Sequence, residues 1–236
     1  MCWNEDLEGV SARTRARIAL AVCLISTPAG MTMGCGGGSG PTAVTQPPLV
    51  EEGNASCLER ANFGDPTQSA YVLPYPVGDA SEVLASYCSS FTYPENIGID
   101  FDLAQGANVV AARRGTVIEV VDRFEDAGEI LGQSNRILIE HPNGSMAFYL
   151  HLAEGSAAVQ VGESVQQGQL LAEVGGSGAP FPHLHFSVFA TSRLESSIAG
   201  YLERDDSLPI NFRNSDGPLD SRGGLIAGQQ YQALPY

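Results

Sequence analysis

Seven short apolar runs, none longer than ten residues, set the strongest limit on how this 236-residue chain can fold. They are IGIDFDL (97–103), NVVAA (108–112), GTVIEVVDRF (115–124), NRILIEH (135–141), MAFYLHL (146–152), QLLAEVG (169–175) and HLHFSVF (183–189). Between them stand Gly106, the DAGE of 126–129, Pro142-Asn143-Gly144 and Gly162, residue types that end strands and shape turns. Asn-Gly between two such runs predicts a hairpin. No stretch keeps a 3.6-residue apolar period over three turns, and only 80–87 (ASEVLASY) reads as one or two helical turns. The expected fold class is all-β, an antiparallel sheet core with little helix. With 43% hydrophobic residues the chain can build one solid core plus a leader, and hardly two domains.

The charge balance excludes some partners. Twelve basic residues, all arginine, face 27 acidic ones, for a net charge of −15. A surface this acidic argues against nucleic-acid binding, which needs cations on phosphates, and against docking on anionic lipid. Its plain effect is solubility.

The N-terminal part reads as export machinery. RTRAR (13–17) precedes the apolar run IALAVCLI (18–25) and small residues, the order of a secretory signal, and the run is too short to stop in a bilayer. Thr32-Met33-Gly34-Cys35 resembles a bacterial lipobox, with Cys35 as the lipidated residue, although threonine replaces the usual leucine. The GGGSGPTAVTQPP that follows (36–48) reads as a flexible tether. The expected organisation is signal peptide 1–34, tether 35–56, connecting region 57–96, folded domain 97–214 and C-terminal tail 215–236. Cys2 and Cys23 leave with the signal, so Cys57 and Cys88 remain as a pair. In an oxidising compartment a disulfide is the simplest reading, with two free thiols as the alternative.

Side chains at i and i+2 of a strand face one way, roughly 6.5–7 Å apart, so His183 and His185 look in one direction while Leu184 packs in the other. His151 is a polar outlier in the apolar strand AFYLHL, and Asp100 sits inside IGIDF, where an unpaired carboxylate is costly to bury. A carboxylate with several imidazoles on one face is what a divalent metal requires. The fourth histidine, His141, ends a strand before a turn and reads as structural.

These pieces occur in a specific order: Gly98-x-Asp100, His141 with Asn143-Gly144, Tyr149-x-His151-Leu152, Gly168-Gln169 and Pro182-His183-Leu184-His185-Phe186. Over about 90 residues the chain resembles the lysostaphin/LytM family of zinc endopeptidases that cut bacterial peptidoglycan. The resemblance implies a biotinyl/lipoyl-hybrid-type β-sandwich, with Asp100 and His185 as zinc ligands and His151 and His183 as catalytic assistants. It also implies a third ligand, a histidine four residues before Asp100. That position is Asn96, and no histidine occurs anywhere in residues 1–140. An amide oxygen is a weaker zinc ligand than imidazole, so the metal site is expected to be impaired.

Three functions remain open on the sequence. One is an exported endopeptidase acting on cell-wall peptides with Asn96 as a poor ligand. Another is an inactive relative that binds peptidoglycan or regulates another cell-wall hydrolase. The last is a surface lipoprotein that binds a protein partner. In each the expected place is the cell envelope, with membrane contact through the lipid alone.

Overall fold

The strands form where the sequence alternates, and the sheet they build has two differently used faces. The computed structural model describes residues 61–87, 98–126, 128 and 132–236. The leader, Cys35, Cys57, Cys88 and Asn96 lie outside the described residues. All described residues fall within one unit, Pro48–Tyr236.

In chain order the strands are β1 (Ala80–Ala85), β2 (Gly98–Asp102), β3 (Asn108–Val110), β4 (Gly115–Val121), β5 (Asn135–Glu140) and β6 (Met146–Leu152). They continue with β7 (Ser164–Val165), β8 (Leu170–Glu173), β9 (Leu184–Phe189), β10 (Ser215–Asp216) and β11 (Gln230–Ala233). A short 3-10 turn at Pro66–Gln68 and one helix, α1 (Ile198–Leu202), complete the described elements. Nine strands form one antiparallel sheet in the order β10-β11-β1-β2-β9-β6-β5-β4-β7, and β3 pairs with β8 as a separate ribbon. The fold is all-β with little helix, as the sequence predicts.

One face of the sheet carries the main core. Ile99 and Phe101 of β2, Ile137 and Ile139 of β5, Ala147 and Tyr149 of β6, and Leu184, Phe186 and Val188 of β9 all pack there. The opposite face carries a smaller cluster: Leu138, Met146, Phe148, Leu150 and Phe189, covered by Ile198 and Tyr201 of α1. Tyr201 stacks on Phe148 with ring centroids 5.0 Å apart. β6 and β9 are buried on both faces, so β6 reads as a nearly continuous apolar run, while in β9 the buried polar residues His185 and Ser187 alternate with Leu184, Phe186 and Val188.

Two regions differ from expectation. Residues 80–85 form β1, not helical turns, because Val83 and Ala85 alternate inward and the strand pairs with β2 on one side and β11 on the other. Tertiary pairing overrides the helix preference of alanine, glutamate and leucine here. Residues 215–236, set apart above as a tail, contribute β10 and β11 to the main sheet, and Tyr231 and Ala233 are part of the main core.

Candidate metal and catalytic site

The pairing of β2 with β9 sets Asp100 directly opposite His185. Directly opposed residues in an antiparallel pair share a face at close range. The two side chains therefore meet, with His185 Nδ1 2.8 Å from Asp100 Oδ1. His183 lies one step before β9 on the same side, its Nε2 3.9 Å from the same oxygen. Gly98 makes room for this group. A Cβ there would stand 2.5 Å from Cε1 and 2.9 Å from Nε2 of His185, so glycine in Gly98-x-Asp100 is a requirement of the imidazole beside it.

His151 reaches the same place by another route. Within β6, Met146, Phe148 and Leu150 face the smaller cluster while Ala147 and Tyr149 face the main core. Simple alternation would send residue 151 into the main core. Instead the β5–β6 register slips: Arg136 pairs with Leu150, but Asn135 pairs with Leu152, so His151 is the extra residue of a bulge. Its φ of 65° makes it the one non-glycine residue with a left-handed backbone among the described residues. Leu152 beyond the bulge turns into the main core, and the His151 ring comes within 4.7 Å of the His183 ring and 6.5 Å of the His185 ring, centroid to centroid. Bulges commonly re-aim a side chain beside an active site in this way.

The tautomers are set by backbone carbonyls. His151 Nδ1–H donates to the Ser177 carbonyl at 2.9 Å, and His183 Nδ1–H donates to the Phe181 carbonyl at 3.1 Å. In both rings Nε2 keeps its lone pair free for the site. Burial, and then the neighbouring His183, push His151 down to about 3, despite the opposing pull of the Ser177 carbonyl, so the ring is neutral at physiological pH. Burial alone would raise the Asp100 carboxyl. The hydrogen bond and charge of His185, with His183 and His151 behind it, outweigh that and hold the carboxyl below its ordinary range.

A catalytic zinc takes three protein ligands and an open position. Asp100 and His185 are adjacent, but among the described residues no three His, Cys, Asp or Glu side chains are disposed to hold a metal ion. The described donor set therefore fits zinc only in part, and Asn96, where the resemblance implies a third ligand, lies outside the described residues.

The structure brings Asp100, His151, His183 and His185 together and keeps His141 apart. His141 is buried, donates Nδ1–H to the Arg114 carbonyl at 2.9 Å and packs edge-on against Tyr71. The sequence reading missed Asn135 and Ser177, which brace the bulge. The signal for them is weak: a single polar residue opening β5 and a serine between glycines. Phe181, half exposed with its ring 5.2 Å from His183, was also missed.

A carboxylate and three imidazoles gathered on one face of an antiparallel sheet define a metallopeptidase-like domain of the lysostaphin/LytM type. Residues 94–195 match the model of peptidase family M23. The chain is 30% identical over 97 residues to an uncharacterized metalloprotease of Haemophilus influenzae, an overlap covering 41% of this chain and 19% of that protein. It is 28% identical over 123 residues to the uncharacterized lipoprotein YgeR of Escherichia coli K12, covering 52% of this chain and 40% of that protein. It thus spans about a fifth and two fifths of the length of these two relatives. A solved zinc-containing peptidase from Vibrio cholerae is 29% identical, with 51% of this chain and 37% of that chain covered and a TM-score of 0.40.

Proposed function

We propose that this chain is an exported envelope protein whose M23 domain binds peptides of bacterial cell wall at the Asp100–His151–His183–His185 face, with a weak metal site. The observation that carries this reading is the gathering of Asp100, His151, His183 and His185 on one face, with a set of strong metal ligands that is incomplete among the described residues. Peptide recognition needs a shaped face with fixed polar groups, and both His151 and His183 have their tautomers fixed by the backbone. Tight zinc binding needs a third strong ligand, and Asn96 offers a neutral amide oxygen. Zinc held by Asp100 and His185 would supply Lewis acidity and a nucleophilic hydroxide. The chain's own residues offer the Nε2 lone pairs of His151 and His183, each able to accept a hydrogen bond from a peptide N–H. Among the described residues no helix is long and apolar enough to cross a membrane. Envelope location rests on the leader, on Cys35 and on the likeness to a lipoprotein.

Metal analysis of the purified protein tests the reading. Zinc is expected to be substoichiometric at micromolar supply, with the protein still retained on purified sacculi and no peptide released from them. Asn96→His is expected to tighten zinc binding by about 100-fold, the upper end of what even supporting residues are worth. Stoichiometric zinc in the unaltered protein, with peptide release abolished by His151→Ala, would establish hydrolysis in place of binding. No retention on sacculi would sink the cell-wall reading altogether.

A further inference from the structure

We infer that Asn135 and Ser177 are positioning residues for His151: together they clamp the bulge that turns this imidazole out of the main core and decide which ring nitrogen faces the site. This rests on the proposed role of His151 in peptide binding.

Asn135 is fully buried and ties three segments together. Its side-chain oxygen accepts from the backbone N–H groups of Arg123 and Phe124, both at 2.9 Å. Its amide nitrogen donates to the carbonyls of Phe124 at 2.7 Å and Leu152 at 3.1 Å. Every hydrogen-bonding direction of the amide is thereby engaged next to the bulge, since Leu152 is the residue that follows His151. The backbone N–H of Asn135 donates to Ser177 Oγ at 2.9 Å, and that hydroxyl donates to the same Leu152 carbonyl at 2.8 Å. Ser177 is also fully buried. Its own carbonyl accepts the Nδ1–H of His151 at 2.9 Å, while Gly175 N–H donates to the His151 carbonyl at 2.9 Å.

The segment 175–178 cannot drift to another position. Gly178 has a left-handed backbone with φ of 68°, and a Cβ there would lie 2.7 Å from the Gln133 carbonyl. The chain is therefore pressed against the start of β5, and the Ser177 side chain sets where its carbonyl stands. A left-handed non-glycine residue in a strand is strained and persists only when its surroundings over-determine it. The Asn135–Ser177 brace is that surrounding structure. Fixed in this way, Nδ1 carries the proton and Nε2 keeps its lone pair free.

The test uses the full chain labelled with 15N-histidine. In the unaltered protein His151 should show a single Nδ1–H tautomer. Ser177→Ala removes the hydroxyl and leaves the Asn135 N–H without its partner. His151 should then populate both tautomers, and retention on sacculi should fall about tenfold, the scale on which supporting hydrogen bonds act. Ser177→Thr keeps the hydroxyl and should restore both readings. Asn135→Ala should act as Ser177→Ala does, and if that protein does not fold, the Ser177 pair still decides. A merely structural role would lower the unfolding midpoint without moving the tautomer, as Val188→Ala in the main core should do. A folded Ser177→Ala protein with its His151 tautomer unchanged would overturn the inference. A shifted tautomer with unchanged retention would uphold the brace and instead overturn the role of His151 in peptide binding.

Discussion

His141, just past β5, and His151, one residue before the end of β6, share most of what is usually taken to mark a working histidine. Each donates Nδ1–H to a backbone carbonyl at 2.9 Å, Arg114 in one case and Ser177 in the other. Each is pushed well below the ordinary histidine range chiefly by burial, to about 4 and about 3. They differ in company and in backbone. His141 packs edge-on against Tyr71, 5.5 Å away, and its buried Nε2 finds no partner among the described residues. His151 lies 4.7 Å from another imidazole, in a bulge with a left-handed backbone. A depressed titration point and a carbonyl partner describe a desolvated ring and say little about use. Local strain that brings a ring toward other imidazoles and a carboxylate is the sharper sign.

The largest expected difference between the two is in stability. His141→Ala deletes a buried ring that packs on Tyr71 and leaves the Arg114 carbonyl without its donor. A cavity and an unsatisfied carbonyl together should cost about 3 kcal/mol, read as a lower urea midpoint with an unchanged slope. Retention on sacculi should not change at a temperature where the protein is folded. A loss of retention without loss of stability would place His141 in the binding face and erase the contrast.

How much of this was legible in the sequence follows from the same contrast. His183 and His185 could be placed on one face from the two-residue period alone, and Asp100 joins them because β2 pairs with β9 in regular register, with Asp100 opposite His185. His151 could not. Its parity within AFYLHL assigns it to the main core, and only an inserted residue in the β5–β6 pairing reverses that. The sequence order of the motif was visible, but the bulge that makes it workable depends on Asn135 and Ser177, which are 42 residues apart in the chain. The turn-bounded strands of the centre were readable for a similar reason: their pattern is local. Residues 80–85 and 230–233 become strands by pairing with each other, and that partnership crosses most of the domain.

A change of pH should sharpen the comparison by a smaller amount. Burial is the main cause that holds the folded His141 near 4, with the Arg113 charge adding to it and the Arg114 carbonyl opposing it. Unfolded, the ring titrates near 6.5. The unfolded chain therefore binds more protons between these values, and the stability that belongs to a neutral His141 is present above about 6.5 and lost as the pH falls toward about 4. From pH 7 to pH 5 this amounts to about 2 kcal/mol. The His141→Ala protein lacks that dependence, so its deficit against the unaltered protein should narrow from about 3 to about 1 kcal/mol over the same interval. Urea titrations of both proteins at the two pH values measure it. A deficit that stays constant would mean that His141 is hydrated in the fold and its burial is not what sets its charge.

The smallest effect is expected where strain and packing oppose each other. His151→Gly removes a partly buried ring but also removes the penalty of a left-handed backbone, roughly 1–2 kcal/mol for a residue with a Cβ. The bulge should survive, because Asn135 holds the Leu152 carbonyl and the N–H groups of Arg123 and Phe124 without any contribution from the His151 ring. Stability should therefore stay within about 1 kcal/mol of the unaltered protein, while retention on sacculi is lost. The two histidines would then separate cleanly, one carrying stability and no binding, the other binding and almost no stability. If His151→Gly proves as costly as His141→Ala, the left-handed backbone at 151 stores no strain, and the ring belongs to the core as much as to the site.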